Sequence, residues 1–184
     1  MSELEMSLRS VDIDQRLITG IVSPYDEISY MTPDPSGERI MRDAFTKSLK
    51  ERATKIPLCR AHNHAHALGM SREWLDSPDG LTATFHVRKS ALGDEALEEC
   101  RDGYLTGMSV GFMPVRQARD RAGVREVREA RLMEVSLVVI PAYDGARVLA
   151  VRAAEPAELL ALFPPVPVQI DLSPIAAPWV YDRR

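Results

Sequence analysis

Cysteine is nearly absent: Cys59 and Cys100 are the only two, they fall in different segments, and no CxxC spacing occurs. A disulfide framework and a cysteine zinc site are therefore excluded, and both thiols read as small buried apolar groups in a reducing compartment. An excess of basic charge is also missing. The 23 Lys and Arg are outnumbered by 27 Asp and Glu scattered along the chain, giving a net charge of -4. That balance supplies no basic patch for phosphate binding, so no nucleic acid partner is expected. Long apolar runs are lacking too. The N-terminal MSELEMSLRS has no apolar stretch of signal-peptide length, and no later window approaches the roughly 18 apolar residues of a membrane span. No membrane partner is expected.

What is present suffices for one core, with 45% hydrophobic residues in a chain of 184. The segment VDIDQRLITGIVSPY, Val11 to Tyr25, predicts a strand, with Gly20 at a bulge or close approach. Ser29 to Gly37 predicts an irregular crossing, and Arg42 to Ala53 a helix whose apolar face includes Phe45, Leu49 and the stem of Arg52. KIPLCRAH predicts a short buried strand. GLTATFHVRK alternates, with Leu81, Ala83, Phe85 and Val87 on one face. SALGDEALEECRDG predicts a helix capped by Ser90 and ended at Gly103. Two β-rich runs follow, LTGMSVGFMP and RLMEVSLVVIPAY, joined by a polar stretch that turns around Ala122 and Gly123. From Ala153 to Arg184 prolines are too frequent for a helix or central strand, which reads as a tail or arm appended to a domain over residues 1–152. The expected fold is α+β and mainly β: a small closed or semi-closed antiparallel barrel, or a sandwich, flanked by helices.

Three segments carry candidate chemistry. On the strand at Ser109, Met108, Val110 and Phe112 share one face while Ser109, Gly111 and Met113 share the other. Gly107 and Gly111 remove side chains on either side, which would expose the hydroxyl and suit a nucleophile; barrel curvature would equally account for the glycines. A serine hydroxyl needs a positioned base. His62, His64 and His66 alternate in CRAHNHAHALGM, whereas His86 lies on the outer face of its strand. The alternating triplet could instead aim three imidazoles at a metal ion, but no further histidine or carboxylate element completes such a site, so neither metal nor other cofactor is expected. Glu134, within RLMEVSLVVIP, shares a strand face with Leu132, Ser136 and Val138. A carboxylate in so apolar a run either meets a partner or marks an exposed edge.

Taken in order, these blocks resemble the prohead, or capsid maturation, serine proteases of tailed bacteriophages, a family related in fold to the herpesvirus assemblins. GERIMRDAFTKSL is similar to the family's acidic loop and Ala-Phe helix. IPLCRAHNHAHALGM resembles its buried strand and histidine, with Gly69 seven positions after His62; GYLTGMSVGF and LMEVSLVVIPAYDGARV resemble its serine and glutamate blocks. The resemblance covers about Val11 to Val151. It implies a herpesvirus-protease type of barrel, with His62 as base, Ser109 as nucleophile and Glu134 as third member. It also implies major capsid protein and scaffold segments as substrates, self-trimming, homo-oligomeric packing, and action inside proheads in the bacterial cytoplasm. The oxyanion donors would be backbone N–H groups, for which the turn PAYDGAR is one place to look. The alternatives are a catalytically inactive assembly module on the same fold and a metal-dependent hydrolase using His62, His64 and His66.

Overall fold

A computed structural model describes residues 16–152. In chain order the elements are β1 (Leu17–Pro24), β2 (Glu38–Ile40), α1 (Thr46–Arg52), β3 (Pro57–Arg60), β4 (Asn63–Ser77), β5 (Gly80–Val87), α2 (Ala91–Arg101), β6 (Gly107–Arg119), β7 (Arg125–Val138) and β8 (Arg147–Arg152). A 3-10 turn, Ala53–Lys55, extends α1 toward β3. Hydrogen bonding runs β7-β3-β4-β5-β1-β8-β6 and returns from β6 to β7, so seven strands close a barrel while β2 lies against β7 outside the ring. The mainly β, closed-barrel expectation holds. Its antiparallel pairing needs one correction within the ring, because β7 pairs parallel with β3, as it also does with β2 outside.

The barrel closes around Ile18, Val22, Leu58, Leu81, Phe85, Met108, Leu132, Val135 and Leu137, all buried. Strand β5 follows its sequence pattern, alternating buried Leu81, Ala83, Phe85 and Val87 with half-buried neighbours. Ser90 caps α2 by accepting the Gly93 N–H, and Gly103 leaves the helix in the left-handed region at φ 78°. Phe45, part of the same core, meets Phe112 edge-on with ring centroids 5.8 Å apart, which fastens the approach to α1 onto β6. Among the described residues no helix is long and apolar enough to cross a membrane.

Two boundaries and one strand register differ from the sequence expectation, each for a physical reason. The helix begins at Thr46 rather than Arg42 because Asp43 adopts φ 65°, a left-handed conformation that interrupts helical winding. Strand β7 begins at Arg125, well before the apolar run that announced it. Its charged first half is a strand because Val127 and Ala130 are buried and Glu126 is held by Arg39 and Arg128. Finally, the ladder shifts between Gly111 and Phe112, so that Gly111 faces Glu134 and Phe112 faces Leu132, leaving Met133 as the extra residue. This bulge turns Leu132 into the core while Glu134 and Ser136 stay on the opposite face. The proposed tail, and residues 11–15 of the first strand, lie outside the described residues.

The seam between β8 and β6 is the thinnest in the ring, with Gly107 and Arg147 as its one ladder pair. Two further backbone bonds, Met108 N–H to Ala146 O and Val148 N–H to Thr106 O, hold it. Gly20 makes this contact possible: a Cβ there would lie 2.5 Å from both the Met108 Sδ and the Arg147 carbonyl oxygen. Gly20→Ala is therefore expected to lower stability by about 1–3 kcal/mol through overpacking. Gly103→Ala meets nothing in space and should cost about 1 kcal/mol through its backbone conformation alone. Urea unfolding of both variants checks the order; a Gly20→Ala protein as stable as the parent would contradict the close approach.

Candidate active site

The β6–β7 ladder sets Ser109 opposite Ser136 and Gly111 opposite Glu134. Ser109, Glu134 and Ser136 thus project from one face of two adjacent strands. Strand β3 reaches the other edge of β7, pairing Leu58 with Val135, Cys59 with Ser136 and Arg60 with Leu137. Beyond Arg60 the chain turns sharply: Ala61 and His62 both take left-handed φ values, 49° and 58°. Non-glycine residues rarely adopt this conformation, and here two hydrogen bonds enforce it. The Ala61 N–H donates to the Leu137 carbonyl at 3.0 Å, and the His62 N–H donates to Ser136 Oγ at 2.9 Å. The turn lays the His62 ring back across β7.

There the imidazole joins the other two side chains. Its Nδ1 lies 2.7 Å from Glu134 Oε1 and its Nε2 lies 3.0 Å from Ser109 Oγ. Glu134 Oε2 accepts the Ser136 hydroxyl proton at 2.7 Å. A carboxylate on Nδ1 fixes the tautomer: Nδ1–H donates to Glu134, leaving Nε2 to accept from Ser109. Glu134 is only 2% exposed, so its charge is buried and both oxygens are occupied, as a buried carboxylate requires. The alternative of an exposed edge-strand charge is thereby corrected. The hydrogen bond to Glu134 raises the His62 pKa above its ordinary 6.5, against partial burial, which pulls it down.

The expectation that flanking glycines expose Ser109 also needs correction, since the residue is 7% exposed. The space beside Gly107 is taken by the Pro141 ring, and the space beside Gly111 by the Glu134 carboxylate. His64 and His66 do not join His62. They lie exposed on β4, where Asn63 Oδ1 accepts the Ala65 N–H at 2.9 Å and makes a local Asx turn. The left-handed turn at Ala61 and His62 is what breaks the alternation that would have aligned three imidazoles. Among the described residues no group of three His, Cys, Asp or Glu side chains is arranged to hold a metal ion. His86 is half-buried on β5. Burial raises both thiol pKa values, that of Cys100 to about 12, which leaves neither as a ready nucleophile. In the turn PAYDGAR, the Gly145 N–H goes to Glu27 and the Ala146 N–H to the Tyr143 carbonyl, so neither is free to serve an oxyanion.

Serine, imidazole and carboxylate in series form an arrangement in which the ring can take the hydroxyl proton while the carboxylate stabilises the resulting imidazolium. Sequence reasoning named these three residues and noted that Ser136 shares the strand face of Glu134. It did not find the left-handed turn, because neither Gly nor Asn stands at Ala61 or His62 to signal it.

Comparison with known proteins bears on the same region. A family model described as Caudovirus prohead serine protease matches residues 4–159. The capsid assembly protease of bacteriophage T4 superposes with a TM-score of 0.51 at 12% identity, over 66% of this chain and 81% of that one. The protease of Kaposi's sarcoma-associated herpesvirus gives 0.48 at 14% identity, over 72% of this chain and 63% of that one. Varicella-zoster virus protease gives 0.45 at 14% identity, over 72% and 62%. The T4 protein shares the fold; no curated protein sequence matches the chain.

The raised His62 pKa has a defined consequence for stability. A group whose pKa is higher folded than unfolded stabilises fully below the unfolded value, near 6.5, and loses that contribution as pH rises through the folded value. Magnetic resonance titration of the His62 ring should therefore give a midpoint above 6.5, falling toward 6.5 in Glu134→Gln. Equal midpoints in the two proteins would remove Glu134 as the cause.

Proposed function

The chain belongs to the caudovirus prohead serine protease family, and from that premise we propose that Ser109, His62 and Glu134 carry its peptide hydrolysis. The chain is a capsid maturation serine protease. The observation that supports this assignment of roles is the continuous hydrogen-bonded series from Ser109 Oγ through both His62 ring nitrogens to Glu134 Oε1. In this reading Ser109 Oγ attacks the scissile carbonyl carbon as its proton passes to His62 Nε2. Glu134 stabilises the imidazolium through Nδ1 and keeps the ring oriented. His62 then delivers the proton to the leaving amine, the C–N bond breaks, and an acyl-enzyme remains on Ser109. Water, deprotonated by the same nitrogen, attacks the ester and releases the second product.

The substrates that follow from family membership are capsid-protein and scaffold segments, and the place of action is the assembling prohead. Within that setting the roles are separable by mass. Co-expression with the cognate capsid protein should give capsid-protein fragments by intact-mass analysis. Ser109→Ala should abolish them, and Glu134→Ala should slow their appearance by roughly 10²- to 10⁴-fold. Fragments of unchanged mass and rate in Ser109→Ala would sink the assignment of the nucleophile.

A further inference from the structure

The Glu134 carboxylate occupies a seat with two walls. One wall is the bare backbone of Gly111, its partner across the β6–β7 ladder. A methyl built on Gly111 would overlap Oε1 and stand 3.0 Å from both Cδ and Cγ of Glu134; its three nearest atoms all belong to that side chain. Gly111 is not among the residues with left-handed φ, so its missing side chain provides room rather than backbone freedom. A mid-strand glycine ordinarily weakens a ladder, which gives this room a cost in stability. The other wall is Ser136, fully buried, whose Oγ donates to Glu134 Oε2 at 2.7 Å while accepting the His62 N–H at 2.9 Å. One hydroxyl therefore anchors both the carboxylate and the backbone that carries the base.

We propose that Gly111 and Ser136 are positioning residues that together aim Glu134 Oε1 at His62 Nδ1. This inference rests on the triad reading above. With Oε2 tied to Ser136, the carboxylate has one oxygen left to turn toward the ring. With no Cβ at residue 111, that oxygen can lie over β6 at the height of Nδ1. A side chain at Gly111 pushes the flexible end of Glu134 rather than any backbone, so the fold survives while the aim is lost. The glycine two positions after the nucleophile then serves the acid of the triad, not access to the serine.

The test uses a fluorophosphonate probe, which needs no knowledge of the cleavage sequence. Ser109 Oγ bonds to phosphorus, fluoride leaves with the bonding electron pair, and the hydroxyl proton passes to His62 Nε2. The second-order labelling rate, followed against pH, reports how well the base is poised. Gly111→Ala should remain folded by circular dichroism and label roughly 10²-fold more slowly, the loss that a misplacement of about 1 Å produces. Its acid-side midpoint should fall from the parent's toward the ordinary imidazole value of 6.5. In a Glu134→Ala background, where the methyl meets no carboxylate, Gly111→Ala should cost nothing further. If Gly111→Ala does not fold, Ser136→Ala takes its place in the same cycle, with the same non-additive outcome expected. Parent-like rate and midpoint in the folded position-111 variant, beside a slow Glu134→Ala, overturn the positioning role and leave the triad standing. Full additivity with Glu134→Ala overturns it as well. A Glu134→Ala protein that labels like the parent overturns the triad reading and, with it, this proposal.

Discussion

A carboxylate buried at 2% exposure on a barrel strand is the constraint around which the site is arranged. Burying an ion without partners costs several kcal/mol, so such a group persists only where its oxygens are met. Glu134 meets that condition with two partners that come from different parts of the chain. His62 arrives from the end of β3 and Ser136 from two residues along β7 itself. Satisfying the carboxylate and assembling a poised imidazole are therefore one structural event, and the hydrogen bond that stabilises the charge also raises the pKa of the ring.

Strand β7 is the hub because it pairs with β6 along one edge and with two strands, β2 and β3, at the two ends of the other. Its β6 edge carries Ser109 opposite Ser136; its other edge takes β2 near Arg125 and β3 near Val135. The parallel pairing with β3 matters for chemistry as well as closure. It brings the chain out at Leu137, where Ala61 and His62 are forced back over the strand by bonds to the Leu137 carbonyl and Ser136 Oγ. An antiparallel arrival at the same edge would carry the chain away in the opposite direction along β7. The thin seam at Gly107 and Arg147, by contrast, closes the ring two ladder positions from Ser109, with Gly20 and Met108 in direct apposition beneath it.

Much of this was legible where local rules act alone. The alternation of β5, the Ser90 cap and the Gly103 stop each follow from the period and chemistry of a few consecutive residues, and the structure has them in place. Ser109, His62 and Glu134 could be named because they sit in ordered blocks resembling a family, and their strand faces could be read by counting in twos. What could not be read was set by distant contacts. Asp43, Ala61 and His62 hold left-handed conformations that no glycine announces. The charged half of β7 is a strand because distant groups meet it: Val127 and Ala130 are buried, and Arg39, far away in sequence, pairs with Glu126. The bulge at Met133 changes which face Leu132 presents, so a simple count assigns that residue to the wrong side.

The same separation between local and distant contacts divides the site itself. Ser109 and Glu134 lie on the two arms of one hairpin, whose turn at Gly123 has φ 87°. Pairing β6 with β7 is enough to set them on a common face. His62 is different: its contacts span 47 residues to Ser109 and 72 to Glu134. It reaches them only when β3 has docked on the far edge of β7. Contacts of such long range incur loop-closure entropy before they return any stabilisation. A hairpin with Ser109 and Glu134 in register but β3 undocked would thus hold a hydroxyl without the imidazole and a carboxylate with Ser136 as its partner and water on its other oxygen. Docking β3 takes the carboxylate out of water, and the His62 ring is the partner that offsets that desolvation while its other nitrogen meets Ser109 Oγ.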